Sequence, residues 1–438
     1  MGEIMIVVTT AILLLLLMLS VVREKNVYNP MTIFLALWSV VCFLAGLKLF
    51  GMYDYSYHAP LVVLIGVVSV YLGYIFGSKY KIKLPHQIKH IGIDETREYV
   101  VREKLCIVLL FITISVYLIM GISVLALLAA GYDASTIREM YRDSGETAIS
   151  GMATSLIYGS DFVKKLDSYL AKPTICATIP ILSIELTSKG KITKLSALSI
   201  VALALSLLVN FGRLNAFVAV ACVVVAFFIQ GKKLSKKTKR RVKCIATLLL
   251  AAMIVFFLLM SNARSTTNSS GAVPNSYAYF SIPIPLLDYW MEQVDSMGAY
   301  SLGFSYISGF VANIMNVLAR FNIVIPPYKW GSRFNYNLVD HFIGIFPSRR
   351  YNAYVSMFFA LYLDFREIGV FFGSFIYGCV ISRIYNKAKK SKIYLAFYLL
   401  LFQGLLWSFI RWQFVIVSYC FAFIFLRILF KRKGLEQE

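Results

Sequence analysis

LSALSIVALALSLLVNFGRLNAFVAVACVVVAFFIQ, residues 195–230, is one apolar run of 36 residues, and how it divides decides the fold. A bilayer core of roughly 30 Å takes about 20 helical residues, so the run is too long for one crossing. The interruption NFGR (210–213) supplies a polar turn, which splits the run into two short crossings with Arg213 at the turn between them. A chain that crosses, turns within a few residues and crosses back is a helical membrane protein, because lipid leaves no other way to satisfy the backbone.

Outward from that hairpin the same reading repeats. Apolar runs lie at about 4–22, 31–50, 60–77, 105–130, 169–187, 244–261, 367–385, 393–409 and 412–429, which with 195–209 and 214–230 gives eleven expected spans. The expected fold is all-α: a polytopic integral membrane protein of about eleven transmembrane helices, with one large external loop of short interfacial helices. Of 438 residues, 59% are hydrophobic and 15% charged, which leaves no room for a soluble domain of ordinary size. The first twenty residues lack a basic leader and a small-residue cleavage pattern, so they read as a retained span.

The formal charge of +22 would suit a nucleic-acid partner, but its distribution points to a membrane and to no nucleic acid. With the N-terminus outside, the segments REKN, 78–104, SKGKITK, GKKLSKKTKRRVK, RIYNKAKKSK and the C-terminal tail fall inside. These hold 29 of the 44 lysines and arginines. Basic residues collect on the cytoplasmic side and meet anionic lipid there, so the reading places the N-terminus outside and the C-terminus in the cytoplasm. The seven cysteines fall within or at the ends of spans, with no ligand-like spacing, and read as packing residues.

Three regions follow: 1–260 carries spans one to eight with a smaller external loop at 131–168. Residues 261–366 form the large external loop, the expected active-site region, and 367–438 carry spans nine to eleven and a basic tail. Two apolar pieces of the large loop read as interfacial or re-entrant. A crossing at 303–319 would move two basic clusters outside, and 353–363 is too short to cross.

Charge in this setting marks candidate chemistry. Arginine offers a planar fork of donors matched to phosphate oxygens, and near a membrane it needs a partner or an exit to the interface. Arg213 and Arg411 occupy such positions, and Arg264, Arg320, Arg333, Arg349, Arg350 and Arg366 populate the large loop. Each taken alone also reads as a solvated or snorkelling charge. Asp340 and His341 are a neighbouring acid and base, although adjacency does not place two side chains in one site. Asp364 stands at the start of span nine, where it suits a base for a hydroxyl arriving at the interface or a helix-capping carboxylate. Tyr277, Tyr279, Phe280, Tyr289, Trp290, Tyr328 and Trp330 suit an aromatic belt or sugar stacking. No D-x-D, Walker loop, dinucleotide fingerprint, H-E-x-x-H or G-x-S-x-G is present, which disfavours a nucleotide donor and leaves no metal or cofactor expected.

The Asn-Pro before span two (NPMTIFLALWSVVCFLAGLKLFG), VSVYLGYIFG, the NFGR turn, the arginine-bearing loop and NAYVSMFFALYLDFREIGVFFGSFIYG together resemble the O-antigen or oligosaccharide repeat-unit polymerases, the Wzy family. The similarity in layout extends over nearly the whole chain. It implies a bacterial inner-membrane glycosyltransferase that polymerises polyprenyl-pyrophosphate-linked oligosaccharide repeat units on the outer face, with the pyrophosphate lipid as leaving group and no nucleotide or cofactor. Membrane lipid and a chain-length regulator protein are the implied partners. Some members carry an Arg-x10-Gly pattern in paired loops. Here Arg320–Gly331 and Arg333–Gly344 match, and neither Arg138 nor Arg142 starts such a match in the smaller loop. Under this resemblance Arg213 is the first candidate for the pyrophosphate, with Arg320, Arg333, Arg349 and Arg264 beside it. Asp364, then Asp340 and His341, are the candidates for the base. An O-antigen ligase and a lipid-linked oligosaccharide flippase are the alternatives. The flippase should show repeat symmetry and charges within spans.

Overall fold

The computed structural model describes residues 1–24, 28–80, 98–133, 156–211, 214–230, 272–347 and 349–433, with isolated positions between 136 and 141 and between 235 and 251. The chain forms two compact units. The first comprises Met1–Ile91, Gly271–Asn386 and Leu401–Cys420, and the second Gly92–Ser270, Lys387–Leu400 and Phe421–Glu438.

Helices dominate both. Among the described residues, six are long and apolar enough to cross a membrane: α1 (Gly2–Glu24), α2 (Pro30–Leu47), α3 (His58–Lys79), α4 (Glu103–Ala129), the continuous helix Asp161–Lys189, and α13 (Phe358–Ala388). Within Asp161–Lys189 we distinguish α5 (Asp161–Leu166) and α6 (Lys172–Lys189) on either side of a π-helical turn, Asp167–Ala171. Shorter apolar helices are α7 (Lys194–Asn210) and α8 (Leu214–Gln230), followed later by α14 (Lys392–Leu406) and α15 (Val417–Leu429). The hairpin expected from residues 195–230 is thus found as α7 and α8, with Phe211 in the left-handed region at the end of α7. The expected span at 244–261 lies almost wholly outside the described residues.

In the first unit, local chemistry sets the helix ends. Asn29 caps α2 by accepting a hydrogen bond from the Thr32 amide at 2.9 Å, and Pro30, which has no amide to satisfy, takes the first position. Small residues set the crossing of α3 and α13. A Cβ on Gly73 would stand 2.0 Å from the Phe375 carbonyl oxygen, and one on Gly378 would stand 2.2 Å from that of Val70. Backbones come this close only where side chains are missing, the packing mode that membrane helices use in place of a hydrophobic drive. Trp38 of α2 is fully buried, donates to Ser408 Oγ at 3.1 Å and packs on Phe358 with ring centroids 4.9 Å apart.

The large loop folds as α9 (Ala272–Ser281), α10 (Pro283–Met297), α11 (Ser308–Arg320), α12 (Pro326–Asp340) and a hairpin of β2 (Ile343–Phe346) and β3 (Arg349–Tyr351). The short apolar piece at 353–363 becomes, from Phe358, the first turns of α13. This helix bends where Phe365 and Arg366 leave helical geometry. The loop sits at the end of the unit that holds the start of α1. Lys48 pairs with Glu3 at 2.9 Å and with Asp54, the Tyr53 amide donates to the Ile345 carbonyl at 2.9 Å, and Ser56 binds Asp288. Lys48 draws the Asp54 carboxyl below its usual range. Arg23 and Ser78 meet at the opposite end.

In the second unit, α4 packs on α7 and α6 on α8. The strand Tyr99–Val101 (β1) pairs antiparallel with Phe430–Arg432 (β4), next to Lys433–Glu98 at 2.8 Å and to Lys189, which bridges Glu103 and Glu185. The far end holds Asp167, fully buried in the π-helical turn, paired with Lys172 at 2.7 Å and with the hydroxyls of Tyr158 at 3.2 Å and Tyr141 at 3.4 Å.

Candidate functional site

The segment MYDYSYHAP (52–60) carries the chain from α2 into α3, and His58 opens α3. Both the amide and the hydroxyl of Ser56 bind the Asp288 carboxylate, the amide at 2.7 Å, which ties this segment to α10. That places His58 against α13, where its Nε2 lies 2.6 Å from Glu367 Oε1. The pair is partly open to solvent, with side-chain exposures of 28% and 43%.

Beside the pair, Tyr362 presents its ring edge to His58 at 5.7 Å and gives its hydroxyl to both Asp295 oxygens at 2.9 and 2.8 Å. Asp295 also holds Arg366, with Nε at 3.0 Å from Oδ1. Arg366 is 12% exposed, donates through Nη2 to the carbonyls of Val294 and Ala299 at 3.0 Å each, and lies over the rings of Tyr300 and Tyr362. Its Nη1 is buried without a hydrogen-bond partner, and its backbone is held at φ 55°, ψ −140°. A non-glycine residue held there costs of order 1–3 kcal/mol and persists only where its surroundings fix it. Here the guanidinium contacts do so.

Asp364 is buried and fully engaged by the large loop. One oxygen accepts from Ser301 Oγ at 2.5 Å and the Ser305 amide at 3.0 Å, the other from the Tyr306 amide at 2.9 Å. Burial, with the Asp364 charge adding to it, pushes the Tyr306 hydroxyl well above the usual range of a phenol.

The other expected site residues are dispersed. Arg320 ends α11 and Arg333 lies on α12, both exposed. Arg349 is half-buried at the start of β3, bonded to Tyr351, with Nη1 buried and lacking a partner. His341 is exposed beyond α12, its Nδ1 3.2 Å from the Asn337 carbonyl and its ring 6.4 Å from that of Trp290. Asp340 is the last residue of α12, and its side chain lies outside what the structure describes, as do Arg213 and Arg264 altogether. Arg411 lines a small cleft with Asn335, Ser356, Phe359 and Trp412. Among the described residues no three His, Cys, Asp or Glu side chains converge as metal ligands. Cys42, Cys106, Cys222, Cys379 and Cys420 are buried, as packing residues should be, whereas Cys176 is half-buried and Cys244 is exposed, against the expectation for a packing residue.

From the sequence alone Arg366 is one of several loop arginines suited to a phosphate, Asp295 and Glu367 are two external carboxylates among several acid–base candidates, and His58 has no role. The available signal was a histidine opening a span within the aromatic run YDYSYH, but its partner is 309 residues away. Chemically, the cluster offers an imidazole oriented by a carboxylate, the arrangement that turns a histidine into a general base, beside an arginine fixed by a second carboxylate.

Fold and site define a multi-pass helical membrane protein with an acid–base pair at the loop-bearing end of its first unit. The model of the family described as O-antigen polysaccharide polymerase Wzy matches residues 3–437, nearly the whole chain, and the protein belongs to that family. No curated protein and no solved structure matches the chain.

Proposed function

We propose that this O-antigen polymerase joins repeat units carried on polyprenyl pyrophosphate, on the outer face of the bacterial cytoplasmic membrane, at the end of the first unit that carries His58 and Glu367. The family match over residues 3–437 carries the polymerase reading. The 2.6 Å His58–Glu367 contact supports the placement.

Glu367 holds His58 through Nε2, so Nδ1 takes the proton of the acceptor sugar hydroxyl as its oxygen attacks the anomeric carbon of the donor. The new glycosidic bond forms, the bond to the phosphate oxygen breaks, and polyprenyl pyrophosphate leaves. The imidazolium formed is stabilised by Glu367. The charge that develops on the leaving group calls for fixed donors. Arg349, with its unpartnered buried nitrogen, and Arg411, in its cleft, are assigned that role, and Arg213, the first candidate from the sequence, is tested for it separately. Arg320 and Arg333, both exposed, serve the approach of the phosphates. Asp340, His341, Asp364 and Arg264 receive no catalytic role in this scheme. A chain-length regulator is the protein partner the reading calls for.

The orientation rests on the loop sharing its end with the start of α1, and on the 29 basic residues of the segments placed inside. A strain lacking the gene tests the function. We expect single repeat units capped onto the lipid core, with long chains restored by the wild-type protein. Accumulation of lipid-linked polymer instead would identify a ligase. Absence of repeat units from the outer face would identify a flippase.

A further inference from the structure

Helix α11 carries an apolar stripe that the described residues leave largely exposed. Ile307, Phe310, Ile314, Val317, Phe321 and Val324 recur at three- and four-residue steps and are all exposed, Ile314 by 59% and Phe321 by 71%. At 100° per residue Phe310, Ile314 and Val317 fall on one face of the helix, with Asn313, Asn316 and Arg320 together along one flank of it, and Ile307, Phe321 and Val324 continue the apolar surface at its two ends. At 13 residues and 1.5 Å per residue, α11 is about 20 Å long, too short to cross a bilayer.

Its N-terminal end is fixed at the start of a span. A Cβ on Gly309 would stand 2.7 Å from the Phe414 carbonyl oxygen and 2.7 Å from Cys420 Sγ, and Phe310 stacks on Phe414 at 5.8 Å. The preceding residue pair is anchored to α13, where the Tyr306 hydroxyl donates to the Gly373 carbonyl at 3.4 Å, next to the exposed Phe372 and Ile376. The stripe therefore begins beside an apolar span surface.

Charge names the occupant. Between Asp295 and Asp340 the sequence has no carboxylate at all, whereas Arg320, Lys329 and Arg333 all lie there. An apolar stripe with a polar flank, followed by three exposed cations unopposed by any carboxylate near them in sequence, fits hydrocarbon beneath negatively charged headgroups. A second copy of this chain would bring the same unopposed cations against themselves.

We propose that α11 is an interfacial lipid-binding helix: its stripe enters the acyl region of the bilayer, and Arg320, Lys329 and Arg333 gather anionic phospholipid at the edge of the large loop. This assignment shares Arg320 and Arg333 with the phosphate approach proposed above, but its test reads lipid contact and not turnover, and it gives the loop a fixed height at the membrane plane.

The test uses the full-length protein in lipid nanodiscs, with exposed Cys244 replaced by serine and an environment-sensitive fluorophore on either Val317→Cys, within the stripe, or Ala319→Cys, on the opposite face. Brominated acyl chains, placed in turn on phosphatidylcholine or phosphatidylglycerol, report contact with each lipid. Aqueous iodide reports contact with water. We expect the label at 317 to be quenched by bromolipid and shielded from iodide, and the label at 319 to show the reverse. Quenching at 317 should be several-fold stronger when the bromine is on phosphatidylglycerol, and Arg320→Gln/Lys329→Gln/Arg333→Gln should erase that preference. Equal iodide access at 317 and 319 would overturn the proposal, as would equal quenching by both lipids in the wild type. Shielding from both quenchers that disappears at one copy per disc would assign the stripe to a contact between copies instead.

Discussion

Asp364 and Arg366, two residues apart at the bend of α13, grip the same stretch of the large loop from two sides. The carboxylate takes the Ser305 and Tyr306 amides, and the guanidinium takes the Val294 and Ala299 carbonyls. The bend lets neighbouring positions of one helix reach donors and acceptors of one loop, and Arg366 accepts a costly backbone conformation to do so. Asp364→Ala should leave two buried amides without partners, at about 1–3 kcal/mol each. Asp364→Asn should fare little better, because its amide nitrogen would face those same donors. We expect both variants to lower the apparent Tm of the purified protein and to open residues 299–306 to limited proteolysis. An unchanged Tm with lost polymerisation would assign Asp364 to the chemistry after all.

Gly73→Val and Gly378→Val should each prevent folding, since a Cβ at either site falls within 2.2 Å of a carbonyl oxygen on the facing helix and backbone cannot step aside cheaply. Gly344→Ala, where a Cβ meets nothing within 4 Å, serves as the matched control and should leave the amount of folded protein unchanged. Size-exclusion profiles and apparent Tm in detergent measure both.

The spans were legible because lipid imposes a long apolar run on each crossing, and the α7–α8 hairpin follows from length and one polar turn. The interior of the large loop was not, because its organisation depends on contacts between residues far apart in sequence. Asp364 looked like a base or a helix cap, and only the folded loop shows which amides meet it. Of the two Arg-x10-Gly matches, Gly331 has a packing reason, as an added Cβ would stand 2.6 Å from Ser305 Oγ, whereas Gly344 faces open space. Sequence spacing gives the two the same weight, and packing separates them.

Reporter fusions check the orientation. Fusions at Lys237 and Lys389 should give cytoplasmic signals, and fusions at Ser269 and Asn335 external ones, because the basic segments stay inside. An external signal at Lys389 would require another crossing in the large loop.

Arg213 belongs to the polar interruption NFGR between two apolar runs, with no carboxylate within ten residues on either side. An arginine between two expected crossings needs an anionic partner or an exit to the interface, and we assign the pyrophosphate as that partner. Arg213→Ala should abolish long chains while leaving protein level and single-repeat capping intact. Arg213→Lys should restore little, since an ammonium lacks the bidentate fork. Normal chain length in the alanine variant would remove Arg213 from the mechanism.

The His58–Glu367 pair supplies the sharpest test of the chemistry. If His58 is the base, His58→Gln keeps a hydrogen bond to Glu367 but cannot take the hydroxyl proton, and turnover of purified lipid-linked repeat units should fall by roughly 10²–10⁴-fold. Glu367→Gln leaves the imidazole in place and removes the charge that stabilises its protonated form, so a smaller loss, about 10²-fold, is expected. In both variants kcat should fall while KM for the lipid-linked substrate holds, because the lost interaction belongs to the transition state. Neither substitution should lower the apparent Tm much, since both side chains are partly exposed. Full turnover in His58→Gln would dismiss the pair as the base. A raised KM at constant kcat would instead make it part of the binding surface for the acceptor sugar.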